Sequence, residues 1–427
     1  MRASRLLETD IMAEPSARPA LAKQRLLNGS RVVSPEQTWS RIKPILPEFG
    51  ITRVGDITGL DRIGIPVWIA VRPNARTLSV SQGKGLDDIA AKVSAAMEAL
   101  EIAHAEEPGV PVEYATVSEI AATGDVVDVS ALPRMRASLF GTKAAIAWTA
   151  AADWKTGASI WVPYEIVHAD ATVPRMSGAG SFLHSTNGLS SGNVFEEAML
   201  HGLCEVIERD ALAIWEHAAP ETQAASRLDL NSIDHPVALR ILQQLLSADI
   251  LPIVWDATSD IGIATIRAAL YDDTSDPVTR PLPASLGAGC HPDRTIALCR
   301  AVTEAAQGRL TAIAGSRDDI GRARYRDIQS AGALAAYREA AHGDRGQRQF
   351  ASVPTHVSDN LAADLDKVVA NLEDAGLDRV LFVDLGKPGM PLSVVRVIVP
   401  GLEGPTDSPS YMPGARVQSR LGSGAPS

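Results

Sequence analysis

The chain has 427 residues, about three times a typical domain, and 45% apolar against 21% charged residues, so it supports a sizeable core and excludes wholesale disorder. Its 40 basic and 51 acidic residues leave a net charge of −11 with no basic run, which argues against nucleic acid as a partner. Three cysteines (Cys204, Cys290, Cys299) without zinc-ligand spacing, no signal-peptide core and no apolar run of about 18 residues point to a cytoplasmic protein without disulfides or a membrane span.

Residues 1–34 are polar and aperiodic and read as a disordered leader, with Met12 as a second possible start. A helix is expected over 35–50, ended by Pro47 and Gly50. Strands follow at 51–57, 65–71 and 77–82, then a long helix at 85–107 with Asp87 near its start. Further strands are expected at 144–152 and 158–164, and a Gly/Ser/Asn-rich loop at 177–193 leads into a helix through residue 210. Beyond it the pattern gives a helix at 236–247, strands at 251–256 and 263–271, the segment 282–290, and a helix at 292–315. Helices near 331–341 and 359–376 and strands at 379–385 and 393–400 complete the main folded region, 35–402, and a turn-rich tail, 403–427, reads as flexible. The class is α/β in the mixed α+β sense.

Three of these helices repeat one spacing. Ser94, Glu98 and Glu101, then His201, Glu205 and Glu208, then Arg300, Glu304 and Gln307 each run i, i+4, i+7, which confines three side chains to an arc of about 60°. Glu197 precedes the second triplet on the same side of its helix. Taken singly, each triplet is an ordinary wet helix face. Together they recur beside apolar faces and lack lysine partners, and so many carboxylates call for a hard divalent cation such as Mg²⁺. "TNGLSSGN" (186–193) runs into the second helix, where free N–H groups attract anions, and Arg209 and Arg300 are available for phosphate charge. The combination reads as a metal–nucleotide site. No Walker A loop or dinucleotide fingerprint is present: "SQGKGL" lacks the first glycine and the Ser/Thr after Lys84. Cys204 falls on the apolar side of its helix, and His104 reads as an ordinary helix-end histidine.

Over residues 50–402 the chain resembles the YcaO family, through "TRVGDITGLDRIGIPVWIAVRPN", "GKGLDDIAAKVSAAMEALE", "TNGLSSGNVFEEAMLHGLCEVIERDA", "RTIALCRAVTEAAQGRL" and "VVRVIVPGLE". The resemblance implies a composite domain with glutamate-bearing helices packed on sheets and an ATP site without a P-loop. Ser94, Glu98 and Glu101 match the family's S-x3-E-x2-E-R element, with Ile102 in place of arginine. Ser190, Asn193, Glu197 and His201 match S-x6-E-x3-Q, with histidine in place of glutamine. Glu205, Glu208 and Arg209 match E-x2-E-R, and Arg300, Glu304 and Gln307 match the third helix. By this resemblance Glu98, Glu101, Glu197, Glu205, Glu208 and Glu304 hold Mg²⁺. Ser94, Ser190, Asn193, His201, Arg209, Arg300 and Gln307 bind ATP, with Lys84 near it. The implied chemistry is activation of a peptide backbone amide by phosphorylation of its oxygen. The end "RLGSGAPS" lacks the alternating prolines of cyclodehydratase members, and "RVGDITGLDRIGIPVWIAVRPN" looks closest to members that act with TfuA proteins in thioamidation. Thioamide formation with a TfuA-like partner is therefore the leading expectation, and a homodimer is compatible with the chain. Azoline formation and a non-catalytic ATP-binding scaffold are the alternatives.

Overall fold

Two antiparallel meanders of three strands, each feeding a long helix, frame the structure, a computed structural model that describes residues 21–26, 29–138, 140–272, 284–317 and 346–422 and single positions between 332 and 343. The hairpin β1 (Gln24–Leu26) and β2 (Gly29–Arg31) comes first. Helix α1 (Pro35–Ile42) is started by a reciprocal capping box between Ser34 and Gln37 and ends through a 3₁₀ turn at Gly50, whose φ of 70° suits glycine. Strands β3 (Arg53–Asp56), β4 (Val67–Val71) and β5 (Val80–Lys84) form the first meander. Helix α2 (Asp88–Glu106) follows, its N-terminus capped by Asp87, which accepts from the Ala90 N–H.

A six-stranded sheet, antiparallel at every named pairing, runs β6 (Glu113–Ala115), β7 (Ile146–Asp153), β13 (Leu381–Asp384), β14 (Ser393–Ile398), β9 (Leu189–Gly192), with β8 (Ser159–Pro163) also paired to β7. The short helix α3 (Val117–Ala121) follows β6, and α4 (Phe195–Glu216) follows β9. After α5 (Pro220–Ala225) and α6 (Pro236–Ser247), the second meander is built from β10 (Ile250–Asp256), β11 (Thr265–Asp272) and β12 (Ser285–Cys290). It feeds α7 (Arg294–Ala314); α8 (Leu361–Asp374) and α9 (Ala415–Gly422) lie nearer the C-terminus. One core lies on the large sheet under α2, around Trp148 and Phe182. A second joins the β10–β12 meander to α6 and α7, and a third packs α4 and α8 against β13 and β14.

The strand before each long helix lies so close to it that side chains are excluded at the crossing. A Cβ on Gly83 would stand 2.0 Å from the Ala95 nitrogen, and one on Gly289 would stand 2.2 Å from the Ala297 oxygen. Both glycines stand fifteen residues before a glutamate of the stripes, Glu98 and Glu304, so the first and third units share one register. The crossing surfaces of α2 and α7 are correspondingly alanine: Ala91, Ala95 and Ala99, and Ala297, Ala301 and Ala305, all buried.

Three expectations change. The glycine-rich loop contains a strand: Leu189–Gly192 pairs with β14, Ser190 opposite Val395. The leader is ordered over its described residues from 21 on, held by the Lys23–Asp364 ion pair and by the Leu361 N–H bond to Leu21. The tail is packed down as far as α9: Tyr411 and Val417 are buried, and Glu403 accepts from the Tyr411 hydroxyl and from the N–H groups of Gly414 and Val417. The helix expected at 331–341 lies almost wholly outside the described residues.

Candidate functional site

The three striped helices converge because each rests on its own strand and touches the next unit's. α2 rests on β5 and reaches β9, where the Ser191 hydroxyl donates to Glu101 at 2.8 Å. α4 rests on β9 and meets β12. α7 rests on β12 and returns to β5, where Gln307 Nε2 donates to the Gln82 carbonyl at 2.9 Å and Lys84 Nζ meets Glu304 Oε2 at 2.5 Å. The ring closes around a cavity of about 570 Å³. Ser94, Glu98, Glu101, Asn193, Glu197, His201, Glu205, Glu208, Arg209, Arg300, Glu304 and Gln307 all line it.

Burial, tempered by neighbouring charges, sets the electrostatics. Burial, opposed chiefly by Lys84, pushes Glu98 up to about 7, and burial does the same to Glu205 against Arg209. Glu101 rises well above the usual carboxylate range, through burial and the Glu205 charge across the cavity, and Glu208 rises through burial. Glu304 is the exception: burial works against its ionisation, yet Lys84 and Arg209 outweigh it and hold its pKa low. Burial also opposes the charge on Arg209, but the carboxylates of Glu208, Glu205 and Glu304 raise it above the ordinary arginine range. His201 is held well below the usual value by burial and then by Arg300, Arg31 and Lys84, so its imidazole is neutral near pH 7. The donor set, hard carboxylate oxygens ringed by Lys84, Arg209 and Arg300, suits a divalent cation carrying phosphate. Among the described residues, no three potential metal-ligating side chains already stand together closely enough to hold an ion.

The family model described as YcaO cyclodehydratase, ATP- and Mg²⁺-binding, matches residues 82–403. The chain belongs to the YcaO family. ATP and Mg²⁺ are the cofactors of that family, whose members are ATP-dependent peptide-modifying enzymes. A protein in the tfuA 3′ region of Rhizobium leguminosarum bv. trifolii is 40% identical over 381 residues, covering 87% of this chain and 88% of its own. A protein of Methanothermobacter thermautotrophicus is 34% identical over 400 residues, 92% of this chain and 99% of its own. In fold, the chain is similar to the YcaO of Methanopyrus kandleri solved with AMPPCP and Mg²⁺, at a TM-score of 0.70 and 24% identity, covering 90% of this chain and 95% of that one. It is similar also to a heterocyclase solved with substrate and cofactor, at a TM-score of 0.75 and 24% identity, covering 95% of this chain and 56% of that one.

Within this YcaO chain some motif positions stand differently from the sequence reading. Ser190 does not line the cavity; it is fully buried and its hydroxyl donates to the Ala198 carbonyl, while its neighbour Ser191 takes the cavity side of β9. Glu197 is already engaged, accepting from the Val32 N–H at 2.6 Å and from the Asn193 N–H and Nδ2 at 2.8 and 2.9 Å. Asn193 Oδ1 in turn accepts from Thr38 at 2.8 Å. The anion at the start of α4 is thus the protein's own carboxylate, and Asn193 and Glu197 tie α1, β2 and α4 together. Ile102 lines the cavity as an apolar side chain where the family pattern has arginine. Sequence reasoning missed Arg31 and Arg317, both on the cavity wall. Arg31 lay in the segment read as a leader, 3.8 Å from Glu197, and nothing local in the sequence could have found it. Cys204 and Cys290 are buried and border the cavity.

Proposed function

We propose that the chain uses ATP and Mg²⁺ to activate a backbone amide of a peptide or protein, with thioamide formation as the product and a TfuA-like protein as partner. The observation that carries the reading is the convergence of glutamates from three helices with Lys84, Arg209 and Arg300 on one cavity. The thioamide branch is favoured by the relative in a tfuA region. When bound, ATP supplies the phosphoryl group that turns the amide oxygen into a leaving group once a nucleophile has added to the carbon, and Mg²⁺ neutralises the phosphate charge.

The chain's own residues do the rest. Glu98, Glu101, Glu205, Glu208 and Glu304 would provide the cation's oxygens, and a bound cation would offset the burial, and with it the neighbouring acids, that raise four of these carboxyls above the usual range. Arg209 and Arg300 meet phosphate oxygens, with Lys84 already poised against Glu304. Ser94 and Gln307 offer neutral hydrogen bonds, and Glu197 and Asn193 hold the start of α4 in place. Neutral His201 takes the part of an amide side chain, offering one donor and one acceptor. The test is mass spectrometry of a cognate peptide incubated with the protein, its TfuA-like partner, Mg–ATP and sulfide. Replacement of one oxygen by sulfur supports thioamidation; loss of one water reports azoline formation instead. Nucleotide binding with neither product and no peptide-stimulated hydrolysis rejects the catalytic reading.

A further inference from the structure

Strand β12 lies at the edge of its sheet, paired among the described strands with β11 alone. α7 covers one of its faces at Gly287 and Gly289, and α4 packs on the other, with Leu212 beside Ala288. What stays open is the edge, and it faces the glutamate-lined cavity, on whose wall Leu286, Ala288 and Cys290 all stand. The Ala288 N–H donates to Glu304 Oε1 at 3.3 Å, and the Cys290 carbonyl accepts from Arg300 Nη1 at 3.2 Å, so both groups turn away from β11. Backbone groups in an antiparallel pair alternate in direction with a period of two, so those of Leu286 turn the same way. The Leu286 N–H and C=O and the Ala288 C=O meet no partner among the described residues. Such an edge is the template on which an extended peptide adds a strand.

The corner around Leu286 is open where its counterpart in the first unit is closed. Val80 stands eighteen residues before Glu98, and Leu286 eighteen before Glu304; Ile102 stands four after the one glutamate, and Gly308 four after the other. Val80 and Ile102 are buried, whereas Leu286 is 42% exposed and Gly308 is exposed. Packing does not demand Gly308, unlike Gly287 and Gly289: a Cβ there would stand 3.5 Å from the Leu286 oxygen, an ordinary contact. Glycine inside a helix is destabilising relative to alanine. What it provides at this point of α7 is clearance over the Leu286 carbonyl, on the cavity wall.

We infer that the acceptor peptide docks as an antiparallel strand on the edge of β12, exchanging both backbone hydrogen bonds with Leu286 and laying an apolar side chain beside it. Two residues along, about 7 Å away, the peptide stands opposite Ala288. There its N–H reaches the Ala288 carbonyl, but its own carbonyl finds the Ala288 N–H already held by Glu304. That carbonyl is left unbound beside Glu304 and Lys84, and it is the one presented for activation. The inference rests on the peptide-modifying reading and adds to it where the substrate lies and which of its amides is reached.

The test is fluorescence anisotropy of the full chain with a labelled heptapeptide of threonines and glycines around one central leucine. Two copies accompany it, one N-methylated at the leucine and one with alanine there. The N-methylated copy, which lacks the donor to the Leu286 carbonyl, is expected to bind about tenfold more weakly or worse, and the alanine copy severalfold more weakly. Gly308→Leu, which fills the clearance, should abolish binding, and Leu286→Thr should bring the leucine peptide down to the level of the alanine copy. Thermal unfolding identifies any variant that has not folded, and either variant suffices. Equal affinities for the parent and N-methylated peptides, no binding of the parent, or wild-type binding by both folded variants would overturn the inference. So would concentration-dependent self-association that Gly308→Leu abolishes, which would assign the edge to a second copy of the chain. Mg–ATP calorimetry on the unsubstituted chain separates the two readings. Peptide binding of the expected pattern without nucleotide binding leaves the docking edge standing and removes the chemistry, and nucleotide binding without it does the reverse.

Discussion

Replacing Gly83 by alanine tests the idea that the site is set by how closely strand and helix approach. The new Cβ would stand 2.0 Å from the Ala95 nitrogen, 2.3 Å from the Ala91 oxygen and 2.7 Å from the Ala95 Cα, all backbone atoms that no rotamer change can move. A carbon needs about 3.5 Å, so α2 must retreat by about 1.5 Å or β5 must buckle. Overpacking of this kind costs about 1–3 kcal/mol. The larger effect is on function, because Glu98 and Glu101 ride on the displaced helix beyond Ala95. A displacement of about 1 Å in a catalytic constellation costs on the order of 100-fold in rate. Mg–ATP affinity by calorimetry and peptide-stimulated ATP hydrolysis are the assays, with thermal unfolding as the measure of stability. Gly59→Ala is the control, since a Cβ there meets nothing within 4 Å. If Gly83→Ala binds Mg–ATP and turns over like Gly59→Ala, close approach does not set the site and the reasoning fails.

Glu205→Gln should abolish Mg–ATP-dependent turnover yet stabilise the nucleotide-free protein at pH 8. Its folded pKa is raised to about 7, so the carboxyl favours the fold fully below the unfolded value near 4.5, and that contribution is lost as pH rises through 7; melting at pH 5 and pH 8 shows whether the gain appears only at the higher pH. His201→Gln should keep Mg–ATP affinity within about threefold, because the imidazole is neutral and the amide offers the same donor and acceptor. Calorimetry checks this, and a loss of tenfold or more would mean that the ring itself is needed. Arg416→Ala should destabilise the chain by about 3 kcal/mol, because it strips the Nε donor, 2.8 Å away, from the fully buried Asp210 on α4. Denaturant unfolding reads the change, and an unaltered midpoint would show that α9 does not hold α4.

The helices were legible because their signal is local. An i, i+4, i+7 stripe, an Asp87 or Asp293 cap and alanines on the opposite side are all read within twenty residues. The glutamate-bearing stripes needed no tertiary information to be found, only a comparison of three windows. β9 was not legible: Leu-Ser-Ser-Gly has turn composition, and it is a strand because β14 pairs with it. Gly192 is there because the Glu197 Cβ and the Ala198 nitrogen would stand 2.5 and 2.6 Å from any side chain. The described parts of the leader, from residue 21, and of the tail, to residue 422, were equally silent, since they are held by Asp364 and by the Glu403 and Asp210 groups, partners distant in sequence or buried on another element. Motif spacing likewise could not show that Ser190 faces inward and Ser191 outward, because a strand alternates its sides and a loop does not.

The interlocked ring of strands and helices has a consequence for synthesis of the chain. Its closing contacts join β5 to α7, Lys84 to Glu304 and the Gln82 carbonyl to Gln307, across 220 and 225 residues. Contacts of such separation form last, after the entropy of closing a long loop has been met. A nascent chain shorter than about 310 residues carries the acids of α2 and α4 but not the completed third wall that Lys84 joins through Glu304, and so no closed cavity. Capture of Mg–ATP is therefore a property of the finished ring, and a translation-arrested series should gain it in one step as α7 emerges.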